Sequence, residues 1–288
     1  EDLTPMKKRK QSTSEELTNC KKSRNDTRIT LSLNKVINLG MPHVGEIIFE
    51  SIDTPGLINC LEVSQTWKVL AENVLIKRWK GRMFEACKDG LTKIVQLLLE
   101  CFNYEENGLN IKDENGFTAM MLACNDGYKD VVELLLNHSK RIDVNARDFN
   151  GMTSFMWACQ NGHTDVVKLL LEHLDSNIDL NAMSRSGSTA FVLACSYGHK
   201  DVVQLLLDNS ERIELNVRSS FQSRKNAFFC ACENGLIDIV QMILEHSKRI
   251  ELNAKADDGH TAFMAACRNG HKHVVQLLLN YADRIELN

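Results

Sequence analysis

The residues with the greatest capacity for chemistry are ten cysteines and nine histidines in a chain of 288 residues. Six of the cysteines recur within the pair Ala-Cys: Cys87, Cys124, Cys159, Cys195, Cys232 and Cys267, in steps of 37, 35, 36, 37 and 35 residues. A zinc site draws ligands a few residues apart, typically as Cys-x-x-Cys pairs, and the chain contains none. Helices of neighbouring units stand about 8–10 Å apart, whereas a disulfide needs Cα atoms within about 7 Å. Cys230 and Cys232 share one helix but point in different directions. The thiols therefore read as small buried apolar groups kept in a reducing compartment. No Gly-rich phosphate loop and no nucleophile elbow is present. The expectation is no enzyme, no catalytic residue, no metal and no cofactor.

The elements that carry these residues are one unit written about six times over 81–288. Three residues after each Ala-Cys cysteine stands a glycine: Gly90, Gly127, Gly162, Gly198, Gly235 and Gly270. An apolar segment of the form Asp-Val-Val-x-Leu-Leu-Leu follows, plainest at 130–136, 165–171 and 201–207. A fixed period of this size marks a solenoid. In the third unit the spacing predicts a short helix over 153–161 with Phe155, Ala158 and Cys159 on one side. The glycine then breaks the helix through a left-handed turn. A second helix over 164–172 carries Val166, Val167, Leu169, Leu170 and Leu171. That apolar arc is too wide for one isolated hairpin to bury, so stacked neighbours must share it.

The unit resembles the ankyrin repeat, a turn and two helices of about 33 residues with a Thr-Pro-Leu-His-x-Ala core. Gly151-Met152-Thr153-Ser154-Phe155-Met156-Trp157-Ala158-Cys159 falls in that frame, as do 187–195 and 259–267. The family's proline is replaced by Ala119, Ser154, Ala190, Ala227 or Ala262, and its histidine by Met121, Met156, Val192, Phe229 or Met264. Because that histidine hydrogen-bonds the turns in the family, the turns here are expected to be held more by packing. The resemblance implies that His163, His199 and His271 act as capping groups. It also places an unidentified protein substrate on the concave groove: Leu122, Trp157, Leu193, Gln160 and Tyr197 from the first helices, with Phe149, Arg185 and Phe221 from the turns. The fifth unit is irregular, with ten residues from Asn216 to Asn226 where Asn145 to Thr153 spans eight, and with Arg218, Phe221, Arg224 and Lys225 in its turn. Such a turn reads equally as a binding loop or as drift. Arg141, Arg212, Arg249 and Arg284 each precede an acid by two residues and read as surface ion pairs of small value.

Residues 31–80 differ from both neighbours. Asp53-Thr54-Pro55-Gly56 reads as a turn between helices. The stretch resembles an F-box through Met41-Pro42, Ile48-Phe49-Glu50-Ser51-Ile52 and the run Leu57-Ile58-Asn59-Cys60-Leu61-Glu62-Val63-Ser64-Gln65-Thr66-Trp67-Lys68-Val69-Leu70. Met41 replaces the family's leucine, and Gly45 interrupts the first helix. The resemblance implies a small three-helix domain that binds the Skp-type adaptor, and through it the cullin, of an SCF-type ubiquitin ligase. Its contact residues would be Met41, Pro42, Ile48, Leu57, Cys60, Val63, Trp67 and Leu70.

Residues 1–30 hold eight bases against five acids and no aromatic residue, a composition of disorder. The clusters Lys7-Lys8-Arg9-Lys10 and Lys21-Lys22-Ser23-Arg24, ten residues apart, resemble a bipartite nuclear-import signal for an importin. A net charge of −4 argues against nucleic acid as a partner of the whole chain. No apolar run approaches the roughly 20 residues of a membrane helix. The expected fold is all-α: an F-box-like domain over 31–80 that caps an ankyrin solenoid over 81–288, whose last repeat is truncated. The chain reads as a fragment, intracellular, in nucleus or cytoplasm. The expected function is substrate recognition for the ligase, and the competing reading is a plain ankyrin scaffold or nuclear regulator.

Overall fold

The computed structural model describes residues 50, 52–62, 65–79, 82–101, 109–138, 141–173, 177–219, 224–246 and 249–286. Both basic clusters, Met41, Pro42, Ile48, Val63, Phe221 and the Trp67 side chain lie outside what it describes. Every element among the described residues is a helix. The chain divides into two units, Glu1–Ala86 with Lys93–Asn103, and Cys87–Thr92 with Tyr104–Asn288.

In the first unit α1 (Thr54–Cys60) packs on α2 (Gln65–Trp79). The segment read as a turn is instead the start of α1. Asp53 is the N-cap, and its carboxylate accepts the Gly56 N–H at 3.0 Å. Pro55 sits in the first helical turn, where its missing N–H has no partner to lose. The far end of α2 returns to this cap: Arg78 donates to the Ile52 carbonyl at 2.9 Å, and Lys77 pairs with Glu50 at 3.1 Å. Leu57, Cys60, Ala71, Val74 and Leu75 form the apolar seam. The next helices are α3 (Met83–Lys88) and α4 (Thr92–Cys101), with Met83, Ala86, Cys87, Ile94, Val95 and Leu98 buried.

Among the described residues the second unit holds five helical pairs: α5 (Ala119–Asp126) with α6 (Lys129–Leu136), α7 (Ser154–Gln160) with α8 (Thr164–Glu172), α9 (Ala190–Tyr197) with α10 (Lys200–Asp208), α11 (Ala227–Glu233) with α12 (Ile237–His246), and α13 (Ala262–Arg268) with α14 (Lys272–Leu279). Counting α3 and α4 as the first repeat, these are repeats two to six. The first helices α5, α7, α9, α11 and α13 pack in one row, and the second helices α6, α8, α10, α12 and α14 in another. Each first helix opens on a side-chain cap: Thr118, Thr153, Thr189, Asn226 and Thr261 accept the N–H groups of Met121, Met156, Val192, Phe229 and Met264. Such a cap contributes about 1 kcal/mol. Phe155, Phe191 and Phe228 fill the space beneath, and Ala158, Cys159, Ala194 and Cys195 are fully buried where the rows approach. Gly162 closes the first helix of repeat three at φ 75°, in the left-handed region. A buried Val or Leu is worth about 1.5–3 kcal/mol. Val166, Val167, Leu170 and Leu171 are all buried in α8 against its neighbours α6 and α10, so the second-helix row is held between repeats.

Candidate functional site

Before each first helix the chain makes a protruding turn, here called a finger. The expectation that fingers are held mainly by packing is corrected by their hydrogen bonds. Asp148 Oδ1 accepts the N–H groups of Asn150 and Met152, both at 2.8 Å. Asp113 Oδ1 does the same for Asn115 and Phe117 at 2.9 and 2.8 Å. Ser184 Oγ accepts the Ser188 N–H at 3.1 Å. A short polar side chain inside each of these fingers thus replaces the family's histidine, an Asx- or ST-type turn. Neighbouring fingers are joined through their backbones: the Phe149 N–H donates to Asn115 at 3.3 Å, and the Arg185 N–H to Asn150 at 2.8 Å. A side chain at Gly116 would meet the Phe149 nitrogen at 2.8 Å, which is why this closest approach is made over a glycine.

Two further ladders fix one repeat on the next. His163, His199 and His271 each place Nε2 2.7–2.8 Å from a carbonyl at the end of an earlier repeat's first helix, Asn125, Gln160 and Glu233 respectively. A carbonyl only accepts, so Nε2 carries the proton, and the histidines act as inter-repeat caps. The second ladder runs through asparagines. Asn145 Oδ1 accepts the Asp179 N–H at 2.8 Å while its Nδ2 donates to the Asn177 carbonyl at 2.9 Å. Asn110, Asn181, Asn216 and Asn253 repeat this double bond one unit further each time. Among the described residues, Arg212, Arg249 and Arg284 do not pair with the acid two residues on. Arg212 donates to the Leu171 carbonyl at 3.0 Å and Arg284 to Leu244 at 3.3 Å, satisfying the open carbonyls at the ends of α8 and α12. Arg249 pairs with Glu211 across repeats at 2.9 Å.

The groove residues lie along the fingers and the first helices. Phe149 is 57 % and Tyr197 60 % exposed, Arg185 is exposed, and Leu122, Leu193 and Gln160 are half-buried. Trp157 is half-buried, with its ring centroid 5.1 Å from that of Phe117 in the preceding finger. Its indole N–H donates to Asp148 Oδ2 at 3.1 Å, so that donor is already used within the repeat. Ile111 and Met183 are exposed on fingers two and four and were not singled out by sequence reasoning. Their signal was register: Met183 holds the place, two past the ladder asparagine, where other fingers carry Lys112, Arg147, Arg218 and Lys255.

In finger five Arg224 occupies the register of Gly116, Gly151, Gly187 and Gly259, two residues before the cap, and adopts the same left-handed backbone at φ 49°. A non-glycine residue there costs about 1–2 kcal/mol. Its neighbour Lys225 pairs with Glu233 at 2.8 Å and lies over the Phe229 ring. The buried cysteines of the first-helix row are unreactive by position. Burial pushes the Cys87 thiol up to about 12 and raises Cys124, Cys159, Cys195 and Cys232 well above the ordinary thiol range. Cys195 and Cys232 are raised further by the neighbouring Cys230, and Cys159 by Cys124. Among the described residues no group of three His, Cys, Asp or Glu side chains is placed to hold a metal ion, and no helix is long and apolar enough to cross a membrane.

In the F-box-like stretch, Leu57 is 0 % exposed and Cys60 is buried, so both belong to the interior of their unit. Leu70 is half-buried, and Val69, one residue earlier, is 47 % exposed.

A row of paired helices joined by capped fingers, with its exposed side chains on the fingers and first helices, defines a helical-repeat interaction scaffold. Family models agree: triple ankyrin repeats match residues 83–184, 140–219 and 174–256, and a single ankyrin repeat matches 258–288. The chain belongs to the ankyrin-repeat family. That family is one of protein-interaction scaffolds, and no catalytic family is indicated. None of the curated proteins matches the chain significantly. Among solved structures the chain is similar to EF0377, an ankyrin repeat protein, at 24 % identity and a TM-score of 0.60, over 69 % of this chain and 96 % of that one. At that identity the likeness concerns the fold.

Proposed function

We propose that the chain is a bridging adaptor: residues 31–80 bind the Skp-type adaptor of a cullin–RING ubiquitin ligase, and the ankyrin stack selects the protein substrate. The observation that carries the reading is the run 57–70, in which Leu57, Cys60, Val63, Ser64, Trp67 and Leu70 keep the order and spacing of the F-box. The pairing of α1 with α2 over a buried seam of Leu57, Cys60, Ala71 and Leu75 supports it. The matched family models begin at residue 83, so this part of the reading rests on the motif and the helical pairing. The basic clusters Lys7, Lys8, Arg9, Lys10 and Lys21, Lys22, Arg24 add importin as a partner and the nucleus as a destination.

Titration calorimetry of the full chain with a purified Skp-type adaptor tests the bridge. Binding at micromolar concentration is expected, weakened at least tenfold by Val69→Asp, which charges an exposed site and leaves the seam intact. Absence of binding by the unaltered chain refutes the ligase reading. For import, alanine at Lys21, Lys22 and Arg24 in a fluorescent fusion should lower the nuclear fraction. An unchanged fraction would make the tail a solvated terminus.

A further inference from the structure

Charge is sorted between the two helix rows of repeats three to five. On fingers three to five and on α7, α9 and α11 the bases are Arg147, Arg185, Arg218, Arg224 and Lys225, and the acids are Asp148 and Glu233. Asp148 is 5 % exposed and is occupied by the two backbone N–H groups and Trp157. The second helices carry more acids than bases: Asp165 and Glu172 on α8, Asp201 and Asp208 on α10, Asp238 and Glu245 on α12, against Lys168 and Lys200. In a chain of net charge −4, fingers three to five thus form a strip richer in bases than the second helices of the same repeats.

Three of these bases already have partners. Arg147 faces Asp179 at 3.9 Å, Arg218 pairs with Glu251 at 2.5 Å, and Lys225 pairs with Glu233. Arg185 and Arg224 are exposed, and neither forms an ion pair among the described residues. Phe149 and Arg185 are successive fingertip residues: each follows the polar residue that caps its finger's turn, Asp148 or Ser184, and lies with its backbone nitrogen over the glycine of the finger before. Arg224 belongs to the next finger and holds a strained backbone where the other fingers carry glycine. Three successive fingers thus present a row of one apolar ring and two guanidinium groups that form no ion pair among the described residues, with Arg224 at a different register from Phe149 and Arg185.

We propose that this row binds an extended acidic peptide segment of the substrate, its carboxylates on Arg185 and Arg224 and an aromatic or aliphatic side chain against Phe149. The inference rests on the stack being the substrate-selecting surface. Arginine favours carboxylates because its planar fork bonds both oxygens. Nucleic acid fits less well. A phosphate-backbone binder neutralises a long run of phosphates, whereas two unpaired bases stand here beside rows of acids.

The test uses the full chain and fluorescence anisotropy with three labelled probes: a peptide of alternating Glu and Phe, its Gln-for-Glu counterpart, and a single-stranded oligonucleotide. The Glu peptide should bind about tenfold or more tightly than the Gln peptide, and less tightly as salt rises. Arg185→Gln with Arg224→Gly should erase that preference while the helical circular dichroism stays unchanged, since both side chains are exposed and glycine suits the left-handed turn. No peptide binding, equal binding of both peptides, or a preference that survives in the variant overturns the proposal. Tighter binding of the oligonucleotide overturns it in favour of nucleic acid. Adaptor titration on the same preparations separates the two claims. Lost peptide selectivity with intact adaptor binding refutes only this inference. Failed adaptor binding with intact selectivity refutes only the ligase bridge.

Discussion

Replacing Trp157 by phenylalanine removes one hydrogen bond and keeps most of the ring contact with Phe117. The bond runs from the indole N–H to Asp148 Oδ2 at 3.1 Å, and Asp148 is 5 % exposed. A hydrogen bond to a charged group is worth about 1.5–3 kcal/mol. The half-buried indole keeps some access to water, so the low end, about 1.5 kcal/mol, is expected. Trp157→Ala also removes the ring. Full burial would make that about 3–5 kcal/mol, and half burial lowers the expected total to about 2–3 kcal/mol. Asp148→Ala should cost at least as much, because two finger N–H groups lose their acceptor as well. The assay is urea unfolding followed by far-ultraviolet circular dichroism for both single variants and the double variant. Phe at 157 with Ala at 148 should show a coupling energy of about 1 kcal/mol or more. Strict additivity would show that the Trp157–Asp148 bond contributes nothing and that the finger is held some other way. A large loss of stability on Trp157→Ala with unaltered peptide capture would remove Trp157 from the binding surface and leave it a packing residue.

Asn181→Ala deletes both bonds of one ladder rung, to the Glu214 N–H and the Arg212 carbonyl, and should destabilise the stack by about 1–2 kcal/mol in the same assay. Arg224→Gly relieves a left-handed arginine and should raise stability by about 1 kcal/mol while weakening capture of the acidic peptide; a loss of stability would show that the turn is not strained. Thiol labelling at neutral pH should modify Cys267, which is exposed, long before Cys124, Cys159, Cys195 or Cys232, whose burial disfavours the thiolate. The buried thiols should be labelled only through local opening. Equal rates would contradict the packed first-helix row.

Local signals in the sequence located the helices well. The expected second helix over 164–172 is α8, and the expected first helix over 153–161 differs from α7 only at its capping residues Thr153 and Asn161. Both follow from helical periodicity and a glycine stop, which neighbouring residues determine. What the sequence hid depends on distant partners. Asn145 bonds residues 32 and 34 positions later, and Arg212 reaches a carbonyl 41 positions earlier. In the sequence the nearer choice was the acid two residues on, Glu214, which is where the ion-pair reading went astray. Pro55-Gly56 read as a turn because both residues break helix interiors, yet Asp53 makes them a first helical turn. The candidate site was legible by register, since Phe149, Arg185, Trp157 and Tyr197 occupy repeat positions. That the Trp157 N–H is spent on Asp148, and that Arg224 stands in a glycine's place, required the three-dimensional arrangement.

The proposed bridge requires one chain to hold an adaptor and a substrate at the same time. Calorimetric titration of a Skp-type adaptor into the full chain, already saturated with the Glu-Phe peptide, tests it most directly. One-to-one adaptor binding at micromolar concentration is expected while the peptide stays bound. Adaptor that gives no binding heat, or that displaces the peptide, would contradict it.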